Sequence, residues 1–192
     1  KYAAETGFDK GCKVILNNIG YNIYFLYFNN DDRALFYCKK ALRYIINDKN
    51  EKQAETIESV NILTNIANIY VRKQLYDSAF YYFHLAFQKI HTGSNERSLL
   101  QASSEEFMKQ EKMHYLTELV IDKGSALKHQ YETIKKANLL NQALNVYKVA
   151  DQLMDNMRLN QSELKSKLFW RTDSRRLYEN AIDACYLLGN TK

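Results

Sequence analysis

The chain has 192 residues, 46% hydrophobic and 26% charged, a balance that excludes intrinsic disorder and fits one compact domain or one short repeat array. Proline is absent and glycine occurs only 6 times, which excludes sandwiches, barrels, collagen-like chains and flexible linkers. The net charge of +5 is spread evenly, with 12 basic and 10 acidic side chains in residues 1–96 and 15 and 12 in residues 97–192, so no basic face for nucleic acid is expected.

What remains is an all-α protein whose core takes much of its bulk from 15 tyrosines and 9 phenylalanines. In chain order, apolar periodicity predicts helices over 11–28, 31–47, 52–73, 76–91, 104–131, 136–158 and 161–188. The first carries Gly20 in mid-helix. The second opens on Asp31 and Asp32, which suit the positive end of a helix macrodipole, and holds Ala34, Cys38 and Ala41. The third carries Ala67, and Gln74-Leu75-Tyr76-Asp77 turns the chain into the fourth, with Ala79, Phe83 and Ala86. Thr92 to Ser104 holds Gly93, Ser94 and Asn95 and reads as a loop, with Ser103-x2-Glu106 as a capping box for the fifth helix. That helix carries Gly124 and is expected to run through Gln130 and Tyr131 to a loop near Thr133–Asn138. The sixth holds Ala143, Tyr147 and Ala150. The seventh is amphipathic, with Leu168, Leu177, Ala181, Ala184, Cys185 and Leu188 on one side.

One spacing recurs three times: Ala34-x3-Cys38-x2-Ala41, Ala79-x3-Phe83-x2-Ala86 and Ala143-x3-Tyr147-x2-Ala150. Ahead of these stand Gly20, Ala67 and Gly124. On a helix each triplet shares one face, and small residues there let a preceding helix pack closely. These nine positions resemble the tetratricopeptide repeat (TPR). The resemblance implies a single TPR domain over 1–192, with repeats at about 11–48, 52–91 and 104–158 and a capping helix at 161–188. Its architecture would be a right-handed α-solenoid.

The segments Asp122–Leu127, Leu140–Leu153, Ser166–Arg171 and Leu177–Leu188 resemble, more specifically, the repeat region ahead of the peptidase in bacterial CHAT proteins. In these a caspase-like domain is associated with TPRs. This resemblance covers about residues 105–188, and implies a recognition or regulatory module for a cysteine peptidase that would lie downstream. No catalytic residue carries over, because the strand-end loops that hold such a histidine and cysteine have no counterpart here.

Read residue by residue, the chain offers no catalytic constellation. Cys38 and Cys185 occupy expected core positions, and Cys12 is uninformative. Three cysteines without a CxxC pair fit free thiols in a reducing, cytoplasmic setting. The chain opens on Lys1 and not on methionine, so it reads as a piece of a longer protein whose upstream signal stays open. The longest apolar run, Tyr21 to Phe28, is interrupted by Asn22 and is too short for a membrane. His84, His91, His114 and His129 have no metal-ligand spacing, so neither a metal nor another cofactor is expected. Arg171, Arg175 and Arg176, with Asp173 among them, read as a solvated helix face.

Binding is the better-supported expectation. The first helix of each TPR hairpin lines a concave groove, which here offers Asn18, Tyr21, Asn61, Asn65, Asn68, Arg72, Asp122 and Lys128 to a protein or peptide partner. Asn18 and Asn65 stand at equivalent positions, where amides can hold an extended backbone, or where they are ordinary surface groups. Asn17 and Thr64 replace the cations of a carboxylate clamp. The convex side, with Tyr81, Tyr82 and Lys89, is the alternative face. A stand-alone scaffold is the alternative function.

Overall fold

The computed structural model describes residues 9–46, 53–90, 110–159 and 164–190, and the side chains of 11–44, 57–89, 114–155 and 172–190. All regular structure among them is helical. Helix α1 begins at Asp9–Asn18 and continues as a π-helix over Ile19–Tyr27. It is followed by α2 (Asp31–Ile46), α3 (Gln53–Arg72), α4 (Tyr76–Ile90), α5 (Gln110–Ile134), α6 (Ala137–Leu159) and α7 (Leu164–Gly189). The expected loop at Thr92–Ser104, the Ser103–Glu106 capping box and His91 lie outside the described residues, as do the side chains of Leu168 and Arg171. No helix among the described residues is long and apolar enough to cross a membrane.

The helices gather in two compact units, α1–α4 within Lys1–Ile90 and α5–α7 within His91–Lys192. In the first, Phe25, Ala34, Cys38 and Ala41 share a core with Ile62, Ile66 and Ile69 of α3, so its two hairpins pack on one another. In the second, Leu116, Leu119, Leu140, Leu153 and Met154 are buried with Leu177 of α7.

The hairpins close as the small-residue pattern predicts. All seven alanines of the pattern are fully buried. A Cβ on Gly20 would lie 2.6 Å from Cys38 Sγ and 3.0 Å from both Ala34 O and Cys38 N, so α1 crosses α2 with no room for a side chain. A Cβ on Gly124 would lie 2.3 Å from the ring of Tyr147. At Gly20 and Gly124 the crossing thus pairs a residue of the first helix with the small-large-small triplet of the second.

Each tight turn uses one non-glycine residue at positive φ: Asn29 at 50°, Gln74 at 58° and Lys135 at 56°. After α3 the amides of Gln74 and Leu75 bond to the carbonyls of Val71 and Tyr70, both at 2.9 Å, closing a Schellman motif around Gln74. Asn30 caps α2 by accepting from the Arg33 amide at 3.0 Å, and Asp31 and Asp32 fill its first turn.

Four expectations are corrected. The first helix is not a regular α-helix throughout: the amide of Phe28 reaches back five residues to Ile23 O at 2.9 Å, a π pattern that apolar periodicity does not distinguish. The turn expected over Thr133–Asn138 is only Lys135–Lys136, because α5 continues to Ile134. Cys185 is exposed, since it lies a helical step of about 100° beyond the buried Ala184. Asp173 and Arg176 do not form a solvated face, because α7 turns them inward onto α5.

Candidate functional site

In the first unit, α3 brings its polar residues against α1. Asn65 is buried and donates to Asn17 Oδ1 at 3.1 Å, while Lys13, also buried, pairs with Glu58 at 3.0 Å. Arg72, at the end of α3, reaches the α1–α2 turn. Its guanidinium donates to Phe25 O at 2.9 Å, to Asn29 Oδ1 at 3.1 Å and through Nε to Asp31 Oδ1 at 2.7 Å, with Nη2 also on Asp31. It also covers the Phe25 ring, 3.6 Å from the centroid. Lys73 pairs with Asp32 at 2.7 Å beside it.

Asn65 and Arg72, expected in a groove, therefore hold the two hairpins together. Tyr21 is half-buried and stacks on Phe25 with centroids 4.9 Å apart, and Asn68 is half-buried. Asn18 and Asn61 are exposed. Around Asn18 and Asn22, α1 carries Val14, Ile15, Ile23, Leu26 and Tyr27, all exposed. Val14, Asn18, Asn22 and Leu26 recur every four residues, which sets them along one side of α1. An outward apolar stripe dotted with amides is unusual on a helix whose other side already packs a core.

In the second unit, the remaining two groove candidates meet α7. Asp122 accepts from Arg176 Nη1 at 2.9 Å, and Lys128, buried along its stem, reaches Asp183 at 3.2 Å. Beside them lies a cluster that the sequence reading missed. His114, Glu118 and Asp122 follow one another at i, i+4 and i+8 on α5, so they share a face, and α7 sets Asp173 and Arg176 against it. His114 Nε2 stands 3.9 Å from Glu118 Oε1, and its Nδ1 stands 3.9 Å from Asp173 Oδ2. Arg176 Nη2 is 4.0 Å from Asp173 Oδ1.

Burial, with Arg176 nearby, pushes the His114 imidazole down to about 4, so it is neutral at pH 7. Burial and the neighbouring Asp173 and Asp122 push the Glu118 carboxyl up to about 7, against the pull of Arg176. Burial likewise raises Asp173. A neutral imidazole between two carboxyl groups can hold a water or ligate a cation. The only sequence signal was the His114–Glu118 spacing, and its third member waits on how α7 packs. Burial also pushes Lys123 down to about 8 and raises Tyr147 to about 12.

In comparisons with known proteins, no family model, no curated protein and no solved structure matches this chain.

Proposed function

We propose that the chain is a non-enzymatic helical-repeat module of the TPR type that binds a protein or an extended peptide. The observation that carries this reading is the exposed stripe of α1. Val14, Ile15, Ile23, Leu26 and Tyr27 face outward beside the amides of Asn18 and Asn22, on the first helix of a hairpin closed by Gly20 against Ala34 and Cys38. Apolar side chains supply contact area and the amides can pair with a partner's backbone. The finer form of the reading stacks the hairpins as a right-handed α-solenoid. It attaches them to a CHAT-type cysteine peptidase, which the likeness of residues 105–188 to that repeat region supports; a stand-alone scaffold is the other form.

The test is selection of a displayed peptide library against the chain, with the double variant Ile15→Asp, Leu26→Asp as the comparison. Both positions are exposed, so the variant should keep its helical circular dichroism. Peptides that bind the parent and lose at least about tenfold on the variant support the stripe as the binding face. Equal binding to both proteins would move the site elsewhere, and no enrichment at all would remove peptide binding from the proposal. Sequence following Lys192 in the parent gene decides between the peptidase-linked and stand-alone forms.

A further inference from the structure

We propose that His114, Glu118 and Asp173 form a site for a divalent transition-metal ion of the zinc type, which would staple α5 to α7. One ligand atom from each of the three lies within 4.8 Å of the others. Two come from one helix at i, i+4, the spacing that places side chains on a common metal, and the third comes from the helix packed over them. The Asp173 side chain is only 8% exposed, and its Oδ2, facing His114 Nδ1, is buried without a hydrogen-bond partner. A buried carboxylate oxygen left in that state destabilises the fold unless a donor or a positive charge meets it. Arg176 is turned to the other oxygen, Oδ1, and is shared with Asp122.

The donor set suits the same occupant. Glu118, Asp122 and Asp173 bring three carboxyl groups together beside the guanidinium of Arg176, which bonds Asp122 at 2.9 Å and stands 4.0 Å from Asp173 Oδ1. One imidazole nitrogen with two carboxylate oxygens suits zinc or manganese better than calcium or magnesium, which prefer oxygen alone. Zinc bonds of about 2.0–2.2 Å require these atoms to draw together by roughly an ångström, with water as a fourth ligand. Such closure is open to His114 and Glu118, whose side chains are 30% and 38% exposed. Arg176, bonded to Asp122 and 4.0 Å from Asp173 Oδ1, is then placed as the outer partner of that ligating carboxylate.

The experiment is equilibrium dialysis of the full chain against zinc chloride, with magnesium chloride as the comparison. Zinc should bind one per chain, magnesium far more weakly, and bound zinc should raise the melting temperature. His114→Ala and Asp173→Asn should each weaken zinc binding by at least about tenfold. Glu118→Gln, at a more exposed position, provides a variant that keeps the fold if Asp173→Asn does not. Cobalt substitution should give a spectrum of nitrogen and oxygen ligands with no thiolate charge-transfer band, and Cys185→Ser should leave it unchanged. Failure of the parent to bind zinc would overturn the proposal. Undiminished binding by His114→Ala and Glu118→Gln, or a thiolate band, would place zinc on other groups and overturn it as well.

Discussion

The guanidinium of Arg72 lies 3.6 Å from the centre of the Phe25 ring while also bonding Phe25 O, Asn29 and Asp31, so one side chain at the end of α3 fastens the α1–α2 turn. The arrangement uses the planar fork of arginine and its affinity for an aromatic face, neither of which lysine reproduces. Arg72→Ala should destabilise the α1–α2 hairpin by about 1–3 kcal/mol. The effect should appear as faster hydrogen exchange at α1 and α2 amides, with Arg72→Lys recovering less than half. Unchanged protection in Arg72→Ala would show that the clamp contributes nothing.

Gly124 meets the fully packed ring of Tyr147. A Cβ there would lie 2.3, 2.8 and 3.0 Å from three ring carbons, so Gly124→Ala must push a buried tyrosine out of place. The expected loss is about 1–3 kcal/mol in urea unfolding despite the better helix propensity of alanine. Gly189→Ala, where nothing lies within 4 Å of the added carbon, is the control and should lose no stability. Equal behaviour of the two would mean that α5 and α6 do not cross at Gly124.

Gln74 sits at φ 58° between α3 and α4, a conformation that costs residues bearing a Cβ about 1 kcal/mol. Gln74→Gly should therefore raise stability by up to about 1 kcal/mol, offset in part by the freer unfolded chain. A fall in the melting temperature would argue that the Schellman geometry is wrong.

Burial pushes the Cys38 thiol up to about 12, whereas Cys185 is exposed on α7. Because the thiolate is the reactive form, a maleimide should label Cys185 rapidly and Cys38 only after denaturation. Peptide mass spectrometry of briefly treated protein checks this. Early label on Cys38 would contradict the closed α1–α2 crossing.

His114 and Glu118 make opposite contributions to pH dependence. The folded chain keeps His114 neutral down to about 4, while the unfolded chain protonates it near 6.5, so this residue costs stability as pH falls through that window. Glu118 stays protonated up to about 7 when folded but ionises near 4.5 when unfolded, so its contribution is complete below 4.5 and is lost as pH rises to 7. In buffer containing a chelator, Glu118→Gln removes only the second effect. Its melting temperature relative to the parent should climb between pH 4.5 and 7 and then level off. A difference independent of pH would show that the carboxyl is not held protonated.

Much of the fold was legible because helix packing imposes a local rule. Where two helices cross closely only Gly or Ala fits, and that demand left Gly20, Ala34, Ala41, Ala67, Ala79, Ala86, Gly124, Ala143 and Ala150 at readable spacings. Helix ends were legible for the same local reason, as at Asp31 and Asp32. The π-turns of α1 were not, because the apolar pattern of Ile19–Tyr27 accommodates either hydrogen-bond register.

The helical class, the three hairpins and the small residues at their crossings follow from interactions over a few turns of chain. The fate of the polar residues does not. Asn65 turned to Asn17, Arg72 to the α1–α2 turn, Asp122 to Arg176 and Lys128 to Asp183, each pairing residues more than forty positions apart. The meeting of His114 and Glu118 with Asp173 has the same origin. A polar side chain on a helix has no fixed partner until a second helix arrives, and it is the burial of apolar faces that sets where that helix lies.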